Sequence, residues 1–164
     1  MRKRIVGVVG AGEASRQDFL NARRLGALVA RNGWVVLSGG RNAGVMEAVS
    51  RGAKSVRGSV TVGILPSSDS EPSRYVDIAI VTDMHNARNN INVLSSDVIV
   101  ACGATGTGTV SEIALALKAK KPVILLGVDE LSRTFFARLG RDLIMAAASP
   151  EDAIKLIKRH RLCG

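Results

Sequence analysis

The chain has 164 residues, of which 46% are hydrophobic and only 3% aromatic, and its formal net charge is +9 at pH 7. This composition excludes a disordered chain and predicts one domain, spanning residues 1–164, with a sizeable aliphatic core. The positive charge favours anionic partners, either small phosphates or nucleic acid. Because no stripe of aromatic residues interleaves with the basic ones, nucleic acid is disfavoured and most of the charge is expected to be a solvated surface.

The cysteine content and the N-terminal segment predict a cytoplasmic protein. Two cysteines, Cys102 and Cys163, do not make a disulfide framework, which indicates a reducing compartment. The N-terminal segment lacks the apolar core of a signal peptide, and no apolar run approaches the length of a membrane span. The only histidines, His85 and His160, belong to no Cys/His cluster, so we expect neither a metal site nor a bound cofactor.

Apolar runs and helical periodicities alternate along the chain. The first strand, residues 5–9, precedes a helix with apolar positions from Phe19 to Val29 that Asn32-Gly33 stops. Further strands are predicted at 34–37, 60–65, 77–81, 97–101 and 122–126, with a seventh candidate at 143–146. The other helices are predicted to start near 45, to cover 85–94 and 113–118, and to run from Pro150 to about 159.

This order of elements predicts the fold class. Strands that are continuous apolar runs, each followed by a helix, require right-handed crossovers and a sheet that is buried on both faces. We therefore expect a single-domain, Rossmann-like, doubly wound α/β sheet of six or seven mostly parallel strands with helices on both faces.

Glycine clusters follow three of the predicted strands. They are Gly10/Gly12 after the first strand, Gly39/Gly40 after the second and Gly103–Gly108 after the fifth. Ligands of such sheets bind beyond the carboxyl ends of the strands, and a glycine-rich turn before a helix presents backbone N–H groups to a phosphate. Glycine is common in short strand–helix turns in any case, but three clusters at one edge indicate a binding site.

Two familiar nucleotide motifs do not match. The dinucleotide fingerprint fails because Ser15 stands at the third glycine position and no acidic residue ends the second strand. The P-loop fails because Thr109 stands where its lysine must be. The expected ligand therefore carries one or two phosphates, held by backbone and hydroxyl groups of Thr105, Gly106, Thr107, Gly108 and Thr109 together with Gly10, Gly12, Gly39, Gly40 and Arg41.

Four motifs occur together in a fixed order: Ser38-Gly39-Gly40-x-x-x-Gly44-Val-Met46, Gly63-Ile-Leu-Pro66, Met84-His-Asn-Ala-Arg88-Asn89 and Gly108-Thr109-x-x-Glu112. In this the chain resembles the Lonely Guy (LOG) family, nucleoside 5′-monophosphate phosphoribohydrolases of Rossmann-like fold within the SLOG superfamily. It is similar, to the same degree or more, to a sister branch of short molybdenum-cofactor carrier proteins. The resemblance covers residue 4 to about residue 127 and implies homodimers or larger homo-oligomers.

The resemblance assigns roles to two charged residues. In the phosphoribohydrolases the equivalents of Arg88 and Glu112 are implicated in catalysis. This chain departs from the family pattern by having Asn89 in place of a lysine and Ala104-Thr105 in place of Pro-Gly. These departures touch the catalytic motif and leave the phosphate turn intact.

For each of these polar residues, an ordinary structural role is the alternative to a role in binding or catalysis. Thr109-Val-Ser-Glu112 matches a capping box, in which Thr109 would be the N-cap and Glu112 would reach back to its N–H. Arg88 near a helix start, with Asn92 where an acidic partner could stand, favours an outside anion over an ordinary surface role. Asn89 either hydrogen-bonds the ligand or faces water, and Arg41 either touches the ligand or belongs to a solvated turn.

Two function hypotheses follow. The first is a nucleoside 5′-monophosphate-binding protein with phosphoribohydrolase activity, in which Glu112 stabilises an oxocarbenium-like transition state and the products are free base and ribose 5-phosphate. The alternative is a non-catalytic carrier or sensor of a phosphorylated ligand, with the pterin of molybdenum cofactor implied by the resemblance. Whether the chain turns over a substrate is left open by the sequence.

Overall fold

A computed structural model describes residues 2–160. Its seven strands form one parallel sheet in the order β4-β3-β2-β1-β5-β6-β7. The strands are β1 (Ile5–Gly10), β2 (Val35–Ser38), β3 (Thr61–Leu65), β4 (Ile78–Val81), β5 (Val98–Cys102), β6 (Val123–Leu126) and β7 (Ile144–Ala147). The predicted Rossmann-like α/β sheet is confirmed, including the seventh strand.

Six α-helices connect and cover the strands. They are α1 (Arg16–Arg31), α2 (Gly44–Lys54), α3 (Arg88–Ser95), α4 (Thr107–Lys118), α5 (Glu130–Gly140) and α6 (Pro150–Arg159). Ser149 caps α6 as predicted, since its side chain accepts a hydrogen bond from the N–H of Asp152. The helix predicted over 85–94 is shorter than expected, because residues 85–87 form a separate 3-10 turn and α3 begins at Arg88.

The core lies on both faces of the sheet, because successive side chains of a strand point to opposite faces. In β5, Val98, Val100 and Cys102 belong to the cluster under α1, α2 and α6, whereas Ile99 and Ala101 belong to the cluster under α4 and α5. Helices therefore cover both faces, as the continuous apolar strands predicted. No helix within residues 2–160 is long and apolar enough to cross a membrane.

The strand order reverses between β1 and β5, and this reversal positions the site. Gly10 at the end of β1 lies beside Cys102 at the end of β5. The chain leaves β1 toward α1 on one face and leaves β5 toward α4 on the other face. The two loops diverge and leave a crevice at the carboxyl edge of the sheet, which is where open α/β sheets bind ligands.

Candidate functional site

A cavity of about 260 Å³ lies in this crevice. Eleven of the thirteen residues predicted from the sequence line it: Gly10, Gly12, Gly39, Arg41, Arg88, Asn89, Gly106, Thr107, Gly108, Thr109 and Glu112. They come from four separate segments of the chain, which the parallel topology brings to one edge. The cavity is also lined by Asn86 and Met46, which the sequence analysis did not single out as site residues.

Two predicted residues do not reach the cavity wall. Gly40 is buried at a positive φ of 71°, and a Cβ there would lie 2.7 Å from the Cα of Gly63. A glycine is therefore needed at position 40 for the end of β2 to pack closely against β3. The role of Gly40 in the motif is to allow this packing and not to line the cavity. Thr105 is exposed and lies outside the residues that line the cavity.

The N-terminus of α4 faces the cavity without a side-chain cap. The helix starts at Thr107, its N-cap is Gly106, and no side chain hydrogen-bonds the cap position. The first N–H groups of a helix lack partners within the helix and carry the positive end of its dipole. Because Thr107, Gly108 and Thr109 all line the cavity, this end of α4 is suited to an anion.

The capping-box explanation of Glu112 is wrong. Thr109 is the third residue of α4 and not its N-cap, so Glu112 lies in the second turn. Its carboxylate instead accepts a 2.8 Å hydrogen bond from Nδ2 of Asn92 on α3. Glu112 is 7% exposed and Asn92 only 1%. Burial raises the pKa of Glu112, although the Asn92 hydrogen bond and the positive charge of Arg88 both lower it.

Arg88 is held against the end of β2. A Cβ on Gly39 would clash with the guanidinium of Arg88 and lie 2.7 Å from Sδ of Met46, so only glycine leaves room for the arginine. Burial lowers the pKa of Arg88, the charge of Glu112 raises it, and the nearby charge of Arg41 lowers it. An arginine remains protonated nonetheless.

The hydrogen bonds of Arg88 are incomplete. Its Nε is buried and finds no hydrogen-bond partner among residues 2–160. The positive charges of Arg88 and Arg41 act on one another across the same cavity. A buried charged group with an unmet donor is costly unless something pairs with it. The arrangement of the two arginines therefore favours an anionic guest.

Asn89 joins the two helices that flank the cavity. Its Nδ2 donates a 3.1 Å hydrogen bond to Oγ of Ser111, which in turn donates to the carbonyl of Gly108. The cavity continues past Asn89 into a wider groove of about 720 Å³ between α3 and α4. A ligand larger than a phosphate has room to extend in that direction.

Cys102 is not placed to act as a nucleophile. It is buried, and desolvation together with the charge of Asp18 raises its pKa to about 12. The thiol is therefore protonated at neutral pH. The other cysteine, Cys163, lies outside the described residues. Within residues 2–160, no group of three or more His, Cys, Asp or Glu side chains is arranged to hold a metal ion.

Comparison with known proteins gives a consistent set of relatives. Residues 3–154 match the model of the SLOG cluster4 family. A molybdenum cofactor binding protein from Rippkaea orientalis is 58% identical, with a TM-score of 0.92 over 96% of this chain and 97% of that one. The molybdenum cofactor carrier protein of Chlamydomonas reinhardtii is 46% identical, with a TM-score of 0.90 over 96% and 97%. An uncharacterized protein of Archaeoglobus fulgidus is 47% identical over 121 residues, 74% of this chain and 78% of that one.

Proposed function

The chain belongs to the SLOG cluster4 family, and from this premise we propose that it is a non-catalytic carrier of a small phosphorylated pterin, the molybdenum cofactor. The observation that carries the proposal is the uncapped start of α4, which faces a cavity that also holds Arg41 and Arg88. The near full-length similarity to proteins described as molybdenum cofactor binding and carrier proteins supports it.

The residues of the cavity fit such a cargo. The phosphate would accept hydrogen bonds from the first N–H groups of α4, and Arg88, which lines the same cavity, would complete its coordination. Hydrogen bonds to charged groups contribute about 1.5–3 kcal/mol each, so two or three of them suffice to hold a small ligand reversibly. The pterin would extend past Asn89 into the groove between α3 and α4.

The alternative function is hydrolysis of nucleoside 5′-monophosphates, and one observation favours it. Glu112 lines the cavity and has no capping role, so its carboxylate is available to a ligand. Two departures from the family's catalytic motif, Asn89 and Ala104-Thr105, weigh against hydrolysis. The carrier is therefore the function we favour.

The proposal is tested by the cargo that survives purification. The full chain is purified under anaerobic conditions from cells that synthesise molybdenum cofactor, and bound pterin is measured by fluorescence after oxidation. We expect close to one pterin per chain, and a loss of most of it in Arg88→Gln. Arg133→Gln, a change on the exposed side of α5, is the matched control and should retain the cargo. A wild-type chain that carries no pterin contradicts the proposal.

A further inference from the structure

Among residues 2–160, Glu112 is the only acidic side chain that lines the cavity. It is 7% exposed, so its carboxyl group is almost completely withdrawn from bulk solvent. Asn92 donates a hydrogen bond to Oε1, whereas Oε2 receives none from any described residue. Because Glu112 lines the cavity, Oε2 is the oxygen that a ligand can reach.

Helix geometry directs the side chain of Glu112 toward the start of α4. Side chains of an α-helix tilt toward its N-terminus, and residues four apart lie on one face. Glu112 therefore leans over the position of Gly108, where a Cβ would meet no atom within 4 Å. The carboxyl group thus borders the space in front of the uncapped N–H groups of α4.

Glu112 and Arg88 face this space from two different helices. Each charge favours the ionised form of the other, yet the two side chains form no salt bridge in the described part of the chain. An oxyanion that accepts hydrogen bonds from Arg88 and from the start of α4 therefore also meets Oε2 of Glu112. Arginine and backbone N–H groups donate hydrogen bonds, whereas an ionised carboxylate only accepts them.

Two anionic acceptors repel one another unless a proton lies between them. We propose that Glu112 selects the ligand by its proton: Oε2 accepts a hydrogen bond from a P–OH group, so the site takes a phosphate that carries a hydroxyl and disfavours an oxyanion that lacks one. This role of Glu112 rests on the proposed function, which places the phosphate at the start of α4. The proton arrives on the ligand or from solvent, and it returns to solvent when the ligand leaves.

The surroundings of Glu112 supply no other acid that could share this proton. Helix α3 contributes the guanidinium of Arg88 and the amide of Asn92, and the segment after β2 contributes Arg41. The arginines stay charged and the amide stays neutral. The strands beneath α4 present apolar side chains on this face, namely Val9, Ile99, Ala101, Val123 and Leu125. Burial raises the pKa of Glu112, which favours a proton held at this position.

The first test compares inorganic phosphate with sulfate in mildly alkaline buffer, where both are tetrahedral dianions and only phosphate retains a hydroxyl group. Isothermal titration calorimetry of the full wild-type chain should show phosphate to bind about tenfold to a hundredfold more tightly, because sulfate leaves Oε2 without a donor. In Glu112→Gln, the amide can present either an N–H or a carbonyl oxygen, so the ratio of the two affinities should fall to about one.

The matched control is Glu130→Gln, which removes an exposed carboxylate outside the cavity and should keep the wild-type ratio. Circular dichroism should show both variants to be folded. If the wild type binds phosphate and sulfate equally, or if Glu112→Gln keeps the wild-type ratio, Glu112 does not select the ligand although the phosphate site stands. If the wild type binds neither anion, the proposed phosphate site fails together with the role of Glu112.

The second test uses methyl phosphate, a monoester, since phosphate monoesters lose their last proton at about pH 6. Once the ester and Glu112 are both ionised, binding must take up one proton from solvent. The affinity of the wild type should then fall about tenfold for each further pH unit. Glu112→Gln requires no proton, so its affinity should not fall over the same range. Parallel pH profiles of the two proteins overturn the proposal, because a carboxyl group with only a structural role would not change the profile.

Discussion

The side chain of Asn92 donates a 2.8 Å hydrogen bond to the carboxylate of Glu112, and this buried contact joins the two helices that flank the cavity. Asn92 lies one turn after Arg88 on α3, so a single helix supplies both one of the two arginines of the site and the group that orients its carboxylate. Glu112 is thus fixed by a partner that lies 20 residues away in the sequence.

The first prediction concerns pH. Because burial raises the pKa of Glu112 above its ordinary value of 4.5, the folded chain binds more protons than the unfolded chain between that value and the raised pKa. The contribution of this group to the free energy of unfolding therefore falls as pH rises through that interval. We expect Glu112→Gln to become more stable relative to wild type between pH 4 and pH 7, as measured by urea unfolding at several pH values. A difference that stays constant with pH contradicts this account of Glu112.

The second prediction concerns Asn92 itself. Asn92→Leu removes the only side-chain donor described for Glu112 within residues 2–160, and it leaves a buried carboxyl group unpaired. We expect a loss of about 1–3 kcal/mol in the free energy of unfolding at pH 7. Asn89→Leu, which breaks the exposed bond to Ser111, should cost less than about 1 kcal/mol. Equal losses of unfolding free energy in the two variants would show that the buried Asn92–Glu112 hydrogen bond stabilises the fold no more than the exposed Asn89–Ser111 bond.

The third prediction concerns the contact between Gly39 and Arg88. Gly39→Ala forces a methyl group into the guanidinium of Arg88, and we expect a cost of about 1–3 kcal/mol in unfolding free energy. Gly12→Ala is the control, because its Cβ would meet only ordinary contacts, with Ala43 at 3.8 Å. In a double-mutant cycle, part of the cost of Gly39→Ala should disappear in the Arg88→Ala background. If the costs of Gly39→Ala and Arg88→Ala add strictly, the methyl group added at position 39 does not contact the side chain of Arg88.

The fourth prediction concerns anion binding in the cavity. Inorganic phosphate should raise the melting temperature of the wild-type chain in proportion to the logarithm of its concentration, since it binds only the folded state. Arg88→Ala should remove most of this increase. If phosphate raises the melting temperature of Arg88→Ala as much as that of the wild type, it does not bind beside Arg88. If a matched concentration of chloride gives an equal increase, the effect is not specific to phosphate in the cavity.

The fifth prediction separates the carrier from the hydrolase. Incubated with a panel of nucleoside 5′-monophosphates, the wild-type chain is expected to release no free base, as followed by chromatography. Release that is abolished in Glu112→Gln would instead establish the hydrolytic function and assign the carboxylate to it.

Much of the fold and the outline of the site follow from local sequence features. Continuous apolar strands and glycine turns are local signals, and parallel topology then forces the glycine clusters to one edge of the sheet. The start of α4 could not be predicted in the same way. The pattern Thr109-x-x-Glu112 satisfies a capping box, yet the chain enters the helix at Thr107, because the choice of start depends on how the loop leaves β5.

The roles of Asn92 and Gly40 depend on tertiary contacts. Asn92 is one of three asparagines in α3, and only the packing of α3 on α4 distinguishes it from its exposed neighbour Asn90. Gly40 looks like a ligand residue in its motif, whereas its close approach to Gly63 across the sheet shows a packing role. A buried asparagine one turn after the arginine of the motif is the signal that a sequence search could use.

The two hydrogen bonds between α3 and α4 differ in burial, and under the proposed carrier function this difference has a consequence for release of the ligand. The Asn89–Ser111 bond is exposed and can be exchanged for water at little cost, whereas breaking the Asn92–Glu112 bond strands two buried polar groups. Movement of α3 away from α4 is therefore easiest at its Arg88 end, with the buried pair acting as the pivot. If the chain carries a phosphorylated cargo as we propose, a small tilt of α3 would loosen the hold of Arg88 on the phosphate without unfolding the core that supports it.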